Sequence, residues 1–263
     1  MVYIKGGDSK VNKLTTGLVT TISKIMPKPK PVNIYYHDIT KGSGQSYMQI
    51  ELNKFYEQMR CIDENNYETT LFSDLNKNCF NKRKSVLITF DDGFSSNYYY
   101  AFEILKRFNI KANIFLTLDF IGTENYLSWE MIKDMNDSGL VEFGAHTKSH
   151  TDARHIDCNN FKSEIVEVNE KVQQNCGYKV EDFCFPYGIY DKRTLDFFKD
   201  LGIYKRLYTS DMIASKTDSF ELIGRIGIEN EDSMENFIRK LNGDYKGIYY
   251  LKRLRRPFNY YGI

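Results

Sequence analysis

Hydrophobic and polar positions along this chain follow two periods that take turns. Near the start, Leu14, Leu18, Ile22 and Ile25 fall on one stripe of a helix over residues 11–26, with Lys10, Lys13 and Lys24 mostly off it. The run PKPKP at 27–31 stops that helix and forms a stiff spacer. From residue 32 onward short apolar runs predict strands: VNIYY (32–36), VLITF (86–90), NIFLT (113–117), VEFG (141–144) and FCF (183–185), with others near 204–209 and 222–228. Helical spacing separates them. Leu52, Phe55, Tyr56 and Met59 share a face, and Ala101, Ile104, Leu105 and Phe108 stand at i, i+3, i+4 and i+7. Ser128 caps a helix through Ile132 and Met135 that stops at Gly139. Phe161, Ile165, Val168 and Val172 mark a helix ending near Gly177, Asp191 caps one that closes at Gly202, and a last helix covers 233–241.

This alternation predicts βα units around a mostly parallel sheet. The expected fold is α/β, a barrel-like closed domain, with a doubly wound open sheet as the alternative. In either case chemistry belongs at the C-terminal ends of the strands. The expected organisation is an amphipathic helix and Pro-rich linker at 1–31, one catalytic-sized domain at 32–245, and a basic aromatic tail at 246–263.

Composition narrows the class. Twenty Tyr and 18 Phe in 263 residues exclude a disordered chain, because so much aromatic surface must be buried or engaged. Mean hydropathy is −0.50, and no apolar run approaches the roughly 18 residues of a membrane span. The net charge of +1 is uneven. Residues 1–31 hold six Lys and one acid, and residues 246–263 hold five bases and no acid. The body between has 25 bases and 34 acids, a net −9. An acidic body argues against a nucleic-acid partner. The basic ends either fold back onto it or meet an anionic surface, so a peripheral membrane contact is one expectation for them. The five cysteines (61, 79, 158, 176 and 184) have no CxxC spacing, which predicts free thiols and a reduced, cytoplasmic setting.

The chemistry-bearing residues gather at strand ends. His37 follows VNIYY, Asp91 and Asp92 follow VLITF, and His146 and His150 follow VEFG. HxxxH spacing on one helical turn lets two imidazoles reach one metal, and a carboxylate from a neighbouring strand completes a His₂-carboxylate set with an open position. Adjacent aspartates in extended chain point apart, so one can ligate while the other stays free. The plain alternative is that Asp91-Asp92-Gly93 is only a turn before the next helix.

ITFDDGFSSN, GAHTKSH and FPYGIYD together resemble the first three motifs of the polysaccharide deacetylases (NodB-homology domain, carbohydrate esterase family 4). The frame from YYHDI to LIGRIGI extends the resemblance over about residues 32–228. It implies a distorted (β/α) barrel and a metal-dependent hydrolase that removes N-acetyl groups from a sugar or polysaccharide. By position it implies Asp91 as general base, Asp92, His146 and His150 as metal ligands, and Pro186, Tyr187 and Gly188 lining the substrate groove, with a backbone N–H near Tyr187 facing the oxyanion. Zinc is the expected ion, although the same donors suit Co, Ni, Mn or Fe.

Two positions depart from the wider family pattern. Cys184 stands where related enzymes place an Arg that holds the base, and a subgroup with an FxYPYG-like motif also lacks it. Arg225 is the expected substitute. No late His is present, so His37 is the expected general acid, with a hydrogen-bonded structural histidine as the alternative. Cys184 itself is expected to be a packed thiol, His155 a solvated loop residue and Trp129 a core residue. The expected partner is an N-acetylated sugar, glycan or lipid-linked saccharide, in surface-glycan assembly. The alternatives are a deformylase or other carbon–nitrogen hydrolase on the same scaffold, and a non-catalytic carbohydrate-binding relative.

Overall fold

Among the described residues, ten strands form one twisted sheet whose two ends are joined by a single short stretch of chain. The computed structural model describes residues 31–77, 84–157, 159–210, 215–216 and 219–244. The expected helix at 11–26, the spacer up to residue 30, Cys79, Cys158 and the tail at 246–263 lie outside these. No described helix is long and apolar enough to cross a membrane.

The sheet comprises β1 (Val32–Tyr36), β4 (Glu68–Thr69), β5 (Ser85–Phe90), β6 (Ala112–Leu116), β7 (Val141–Ala145), β8 (Asp182–Cys184), β9 (Arg206–Thr209), β10 (Ser215–Lys216), β11 (Glu221–Gly224) and β12 (Ile226–Gly227). A separate two-stranded sheet pairs β2 (Asp38–Thr40) with β3 (Gln49–Glu51). The main order is β10-β11-β9-β8-β7-β6-β5-β1-β12, with β4 beside β5, and all pairs are parallel except β10–β11. The expected LIGRIGI strand is therefore two strands. β11 pairs with β9, β12 pairs with β1, and the residue between them is Arg225. Its N–H donates to Thr209 O at 3.0 Å, and three residues further on Ile228 N–H donates to Tyr35 O at 3.0 Å. One segment thus hydrogen-bonds to both ends of the sheet, and the result is a nearly closed barrel rather than an open sheet.

Helices cover the outside: α1 (Leu52–Glu64), α2 (Asn97–Phe108, its first turn a π-helix), α3 (Trp129–Asp137), α4 (Phe161–Cys176), α5 (Lys192–Leu201) and α6 (Met234–Leu241). The predicted caps are in place. Ser128 Oγ accepts from Met131 N–H, and Asp191 Oδ1 accepts from Thr194 N–H. Gly177 and Gly202 close their helices in the left-handed conformation. Trp129 is half-buried against the main core.

Strand residues alternate between two cores, as the period of two requires. One set packs outward under the helices. The other points into the barrel, where Phe72, Leu87, Phe115, Cys184 and Tyr208 form a small inner cluster. Gly144 is required there, since a Cβ on it would lie 2.6 Å from the Phe115 ring. Within the barrel Asp182 makes a two-pronged pair with Arg206 (2.6 and 2.7 Å) and accepts from Tyr208 Oη at 2.7 Å. Towards the C-terminal ends of the strands the interior turns ionisable, and the candidate site begins.

Candidate active site

Asp91 and Asp92 leave β5 in opposite directions. Asp91 continues the inward register and is buried. Asp92 adopts a left-handed backbone (φ 71°), which turns its carboxylate to the mouth of the barrel. Thr147 (φ 64°), His150 (φ 60°) and Tyr187 (φ 60°) share this conformation, which is costly for residues with a Cβ. Three of these four are among the expected site residues, and strain of this kind persists only where surrounding contacts enforce it.

For the histidine loop those contacts are visible. Leu118 N–H donates to Thr147 O, Asp119 N–H to Lys148 O and Lys148 N–H to Glu164 O. The Glu164 carboxylate accepts from both Ser149 N–H (3.1 Å) and Ser149 Oγ (2.8 Å). His146 and His150 consequently do not share a helical turn, as their spacing predicts. A loop laced to α4 and to the chain after β6 brings them together instead, with ring centroids 5.0 Å apart.

Asp92, His146 and His150 offer ligand atoms all within 4.8 Å of one another. Asp92 Oδ1 lies 3.0 Å from His150 Nε2 and 3.4 Å from His146 Nε2, and it is a buried oxygen without a hydrogen-bond donor. His146 Nδ1 stands 2.7 Å from Cys184 O, which can only accept, so Nδ1 carries a hydrogen and Nε2 is the ring nitrogen left to face the carboxylate. Two imidazole nitrogens thus crowd one orphaned carboxylate oxygen. A divalent cation fits this donor set, because it would satisfy all three at once and leave a position open. A second group, Asp91, His146 and Cys184, is equally close-packed. It does not suit a cation, because a guanidinium already occupies it and His146 Nδ1 is engaged.

That guanidinium belongs to Arg225. Its Nη1 donates to Asp91 Oδ1 at 2.7 Å and to Thr89 Oγ1 at 2.9 Å, and its Nη2 to Asp91 Oδ2 at 2.8 Å and to Cys184 Sγ at 2.8 Å. The ring of Tyr35 covers it at 4.7 Å and that of Phe115 at 5.3 Å. Burial pushes the Asp91 carboxyl up, but the paired guanidinium outweighs this and holds it below the ordinary carboxylate value. Burial likewise opposes ionisation of Asp92, and the two neighbouring imidazoles bring it well below the usual range.

His37 stands at the end of β1 with its ring 5.6 Å from that of Tyr35. Burial lowers its pKa, against the pull of Asp91 and Asp92. Its carbonyl accepts from Asn97 Nδ2 at 2.8 Å, which ties it to α2. Pro186, Tyr187 and Gly188 form a short 3-10 turn after β8. Gly188 N–H donates to Phe185 O, Thr209 Oγ1 to Gly188 O and Ser210 Oγ to Tyr187 O. A Cβ on Gly188 would meet Ser210 Oγ at 2.0 Å on a backbone of φ 68°, so this turn needs glycine. The Tyr187 side chain is 63% exposed and meets the His150 ring edge-on at 4.9 Å. His155 lies apart from the site with its side chain in solvent. Cys184 is fully buried, as a packed thiol should be, and it touches the base's partner.

Sequence reasoning missed Thr89, Tyr35 and Phe115 around Arg225, and Glu164 behind the histidine loop. Tyr35 stands two before His37 on the same strand face, and Thr89 two before Asp91, so the period of two could have found them. The Cys184 carbonyl that fixes His146 has no side-chain signal at all.

Residues 80–205 match the profile of the polysaccharide deacetylase family. The chain is 25% identical to YxkH of Bacillus subtilis over 206 residues, 77% of this chain and 72% of that one. It is 29% identical over 178 residues to poly-beta-1,6-N-acetyl-D-glucosamine N-deacetylase of Staphylococcus aureus, covering 61% of this chain and 60% of that enzyme. A polysaccharide deacetylase structure from Bacillus cereus superposes with a TM-score of 0.72 at 25% identity, over 80% of this chain and 68% of that one. The fold also matches the deacetylase PplD of Streptococcus pyogenes, solved with acetate, with a TM-score of 0.73 at 22% identity over 82% and 99% of the two chains. The chain is thus similar to the polysaccharide deacetylase family over residues 80–205 and shares the nearly closed barrel fold of its solved members. It is by class a hydrolase of carbon–nitrogen bonds other than peptide bonds.

Proposed function

We propose that this chain is a metal-dependent N-deacetylase that hydrolyses the acetamide of an N-acetylated sugar in a glycan, releasing acetate and a free amine. The observation that carries this reading is the division of labour between two adjacent aspartates. Asp92 faces two imidazole nitrogens, while both oxygens of Asp91 are held by a guanidinium.

Asp92, His146 and His150 would hold the ion, which when bound supplies Lewis-acid charge where the carbonyl oxygen turns negative. Asp91 is the base. Arg225 keeps it ionised and fixes both of its oxygens, so a lone pair is directed at the attacking water. As water adds to the carbonyl carbon, Asp91 takes its proton. The turn at Tyr187 presents a peptide N–H to the developing oxyanion, and its left-handed backbone is held by the Gly188 and Ser210 contacts. Breaking the C–N bond requires a proton on the departing nitrogen. His37 lies within electrostatic reach of Asp91 and Asp92, and its lowered pKa leaves it neutral, able to collect that proton and deliver it. The staphylococcal relative's action on a poly-N-acetylglucosamine supports the choice of acyl sugar.

The test is acetate release from a panel of N-acetylated glycans, with and without a chelator and after return of the metal. Release that the chelator stops and zinc restores supports the reading. No release across the panel, or release indifferent to the chelator, contradicts it.

A further inference from the structure

Each of the two rings against Arg225 stands opposite a glycine on the next strand. Tyr35 on β1 is in register with Gly227 on β12, and Phe115 on β6 is in register with Gly144 on β7. Neither glycine has a left-handed backbone, so it is the missing side chain that these positions use. A Cβ on Gly227 would fall 2.8 Å from Tyr35 Oη and 2.9 Å from its Cζ, and one on Gly144 would fall 2.6 Å from the Phe115 ring. Two cross-strand aromatic–glycine pairs therefore seat the rings around the guanidinium. On its other side Tyr35 is in register with Thr89, which also touches Arg225.

The guanidinium has a specific need for this shelter. Nη1 donates to Asp91 and Thr89, and Nη2 donates to Asp91 and Cys184. Thr89 Oγ1 gives its own hydrogen to Ile34 O at 3.0 Å, which leaves a lone pair fixed towards Nη1. Nε is different: it is buried and has no acceptor among the described residues. Water reaching Nε would bind there and compete with the carboxylate for the same charge. The rings of Tyr35 (4.7 Å) and Phe115 (5.3 Å) answer that charge without an oxygen that would draw it from Asp91.

We propose that Tyr35, seated by Gly227, is a positioning residue for the hydrolysis: its ring keeps water off the Arg225 guanidinium and fixes the plane in which Asp91 is held. Tyr35 acts through Arg225, by its ring and not by its hydroxyl. The inference rests on the deacetylase reading above and adds a residue to it.

Two variants remove the ring from Arg225 by different routes. Tyr35→Met replaces it with a chain that can fill the gap. Gly227→Ala leaves Tyr35 intact and displaces it. Tyr35→Phe keeps the ring and loses only the hydroxyl. The first readout needs no turnover. It is the exchange with water of the Arg225 Nε–H, followed by NMR and identified by its absence from Arg225→Lys. Exchange should quicken at least about tenfold in Tyr35→Met and in Gly227→Ala and stay within about twofold in Tyr35→Phe, since it follows access of water to the buried group. The second readout is kinetic. Tyr35→Met should lower kcat at least about tenfold, with KM within about twofold and zinc content unchanged, and Tyr35→Phe should retain kcat. Gly227→Ala should lower kcat at least about fivefold alone but less than about twofold in the Tyr35→Met background, where the ring it displaces is already gone. A merely structural role would give neither this split nor this coupling.

Unchanged exchange in Tyr35→Met, a Tyr35→Phe protein as impaired as Tyr35→Met, or independent effects of Tyr35→Met and Gly227→Ala overturns the proposal. If Tyr35→Met does not fold, Gly227→Ala decides alone: exchange and kcat equal to those of the unsubstituted protein overturn it. Exchange that follows the ring in a protein that releases no acetate sinks the deacetylase reading and leaves the seating of Arg225 by Tyr35 standing. Acetate release with exchange indifferent to the ring does the reverse.

Discussion

Asp91 and Arg225 stand 134 positions apart and meet through two hydrogen bonds of 2.7 and 2.8 Å inside the barrel. Arg225 is also the residue at which the last strand changes partners, from β9 to β1. Closure of the barrel and orientation of the base are therefore one event. A guanidinium between two aromatic rings, bonded to Asp91, Thr89 and Cys184, has its charge answered and its plane fixed.

Arg225→Lys should keep a positive charge but lose the two-pronged geometry. Turnover is expected to fall at least about tenfold with metal content unchanged. Arg225→Ala should cripple turnover and also lower stability by about 3–5 kcal/mol, because it leaves Asp91 buried without its counter-charge. Metal analysis, steady-state kinetics and denaturant unfolding on both variants check this. Unchanged turnover in either would remove Arg225 from the base's support.

Glu164→Ala should weaken metal binding by about 10–100-fold, since the carboxylate that anchors Ser149 also holds the loop carrying His150. Competition with a fluorescent zinc chelator reads this directly. An affinity equal to that of the unsubstituted chain would show that the loop keeps its shape without Glu164.

Gly188→Ala should destabilise the protein by about 1–3 kcal/mol, through both the close approach of Ser210 and the left-handed backbone. Turnover should fall further than stability accounts for, because the same shift displaces Tyr187. Kinetics well below the unfolding midpoint would separate the two effects, and a fully active, stable variant would refute the fit described here.

Much of this was readable in the residues. The alternation of apolar runs and helical stripes gave each main barrel strand and outer helix to within a few residues, because every one buries a face. The DDG, HxxxH and PYG segments pointed to the strand ends where the structure puts Asp91, Asp92, His146, His150 and Tyr187. What escaped was geometry between segments. HxxxH suggested a helical turn, yet positive backbone angles at Thr147 and His150 and bonds to Glu164 bend the chain into a loop. LIGRIGI read as one strand, and nothing in its pattern announces the switch of partners at Arg225. Motif logic assigns Arg225 to replace a cation missing at position 184, and its Nη2 lies 2.8 Å from Cys184 Sγ.

The most direct measurement is zinc anomalous diffraction from crystals of the metal-loaded protein. The account expects one strong peak bounded by Asp92 and the two Nε2 atoms of His146 and His150, with both Asp91 oxygens still on Arg225. An absent peak, or one ligated by Asp91 in place of Asp92, would contradict it.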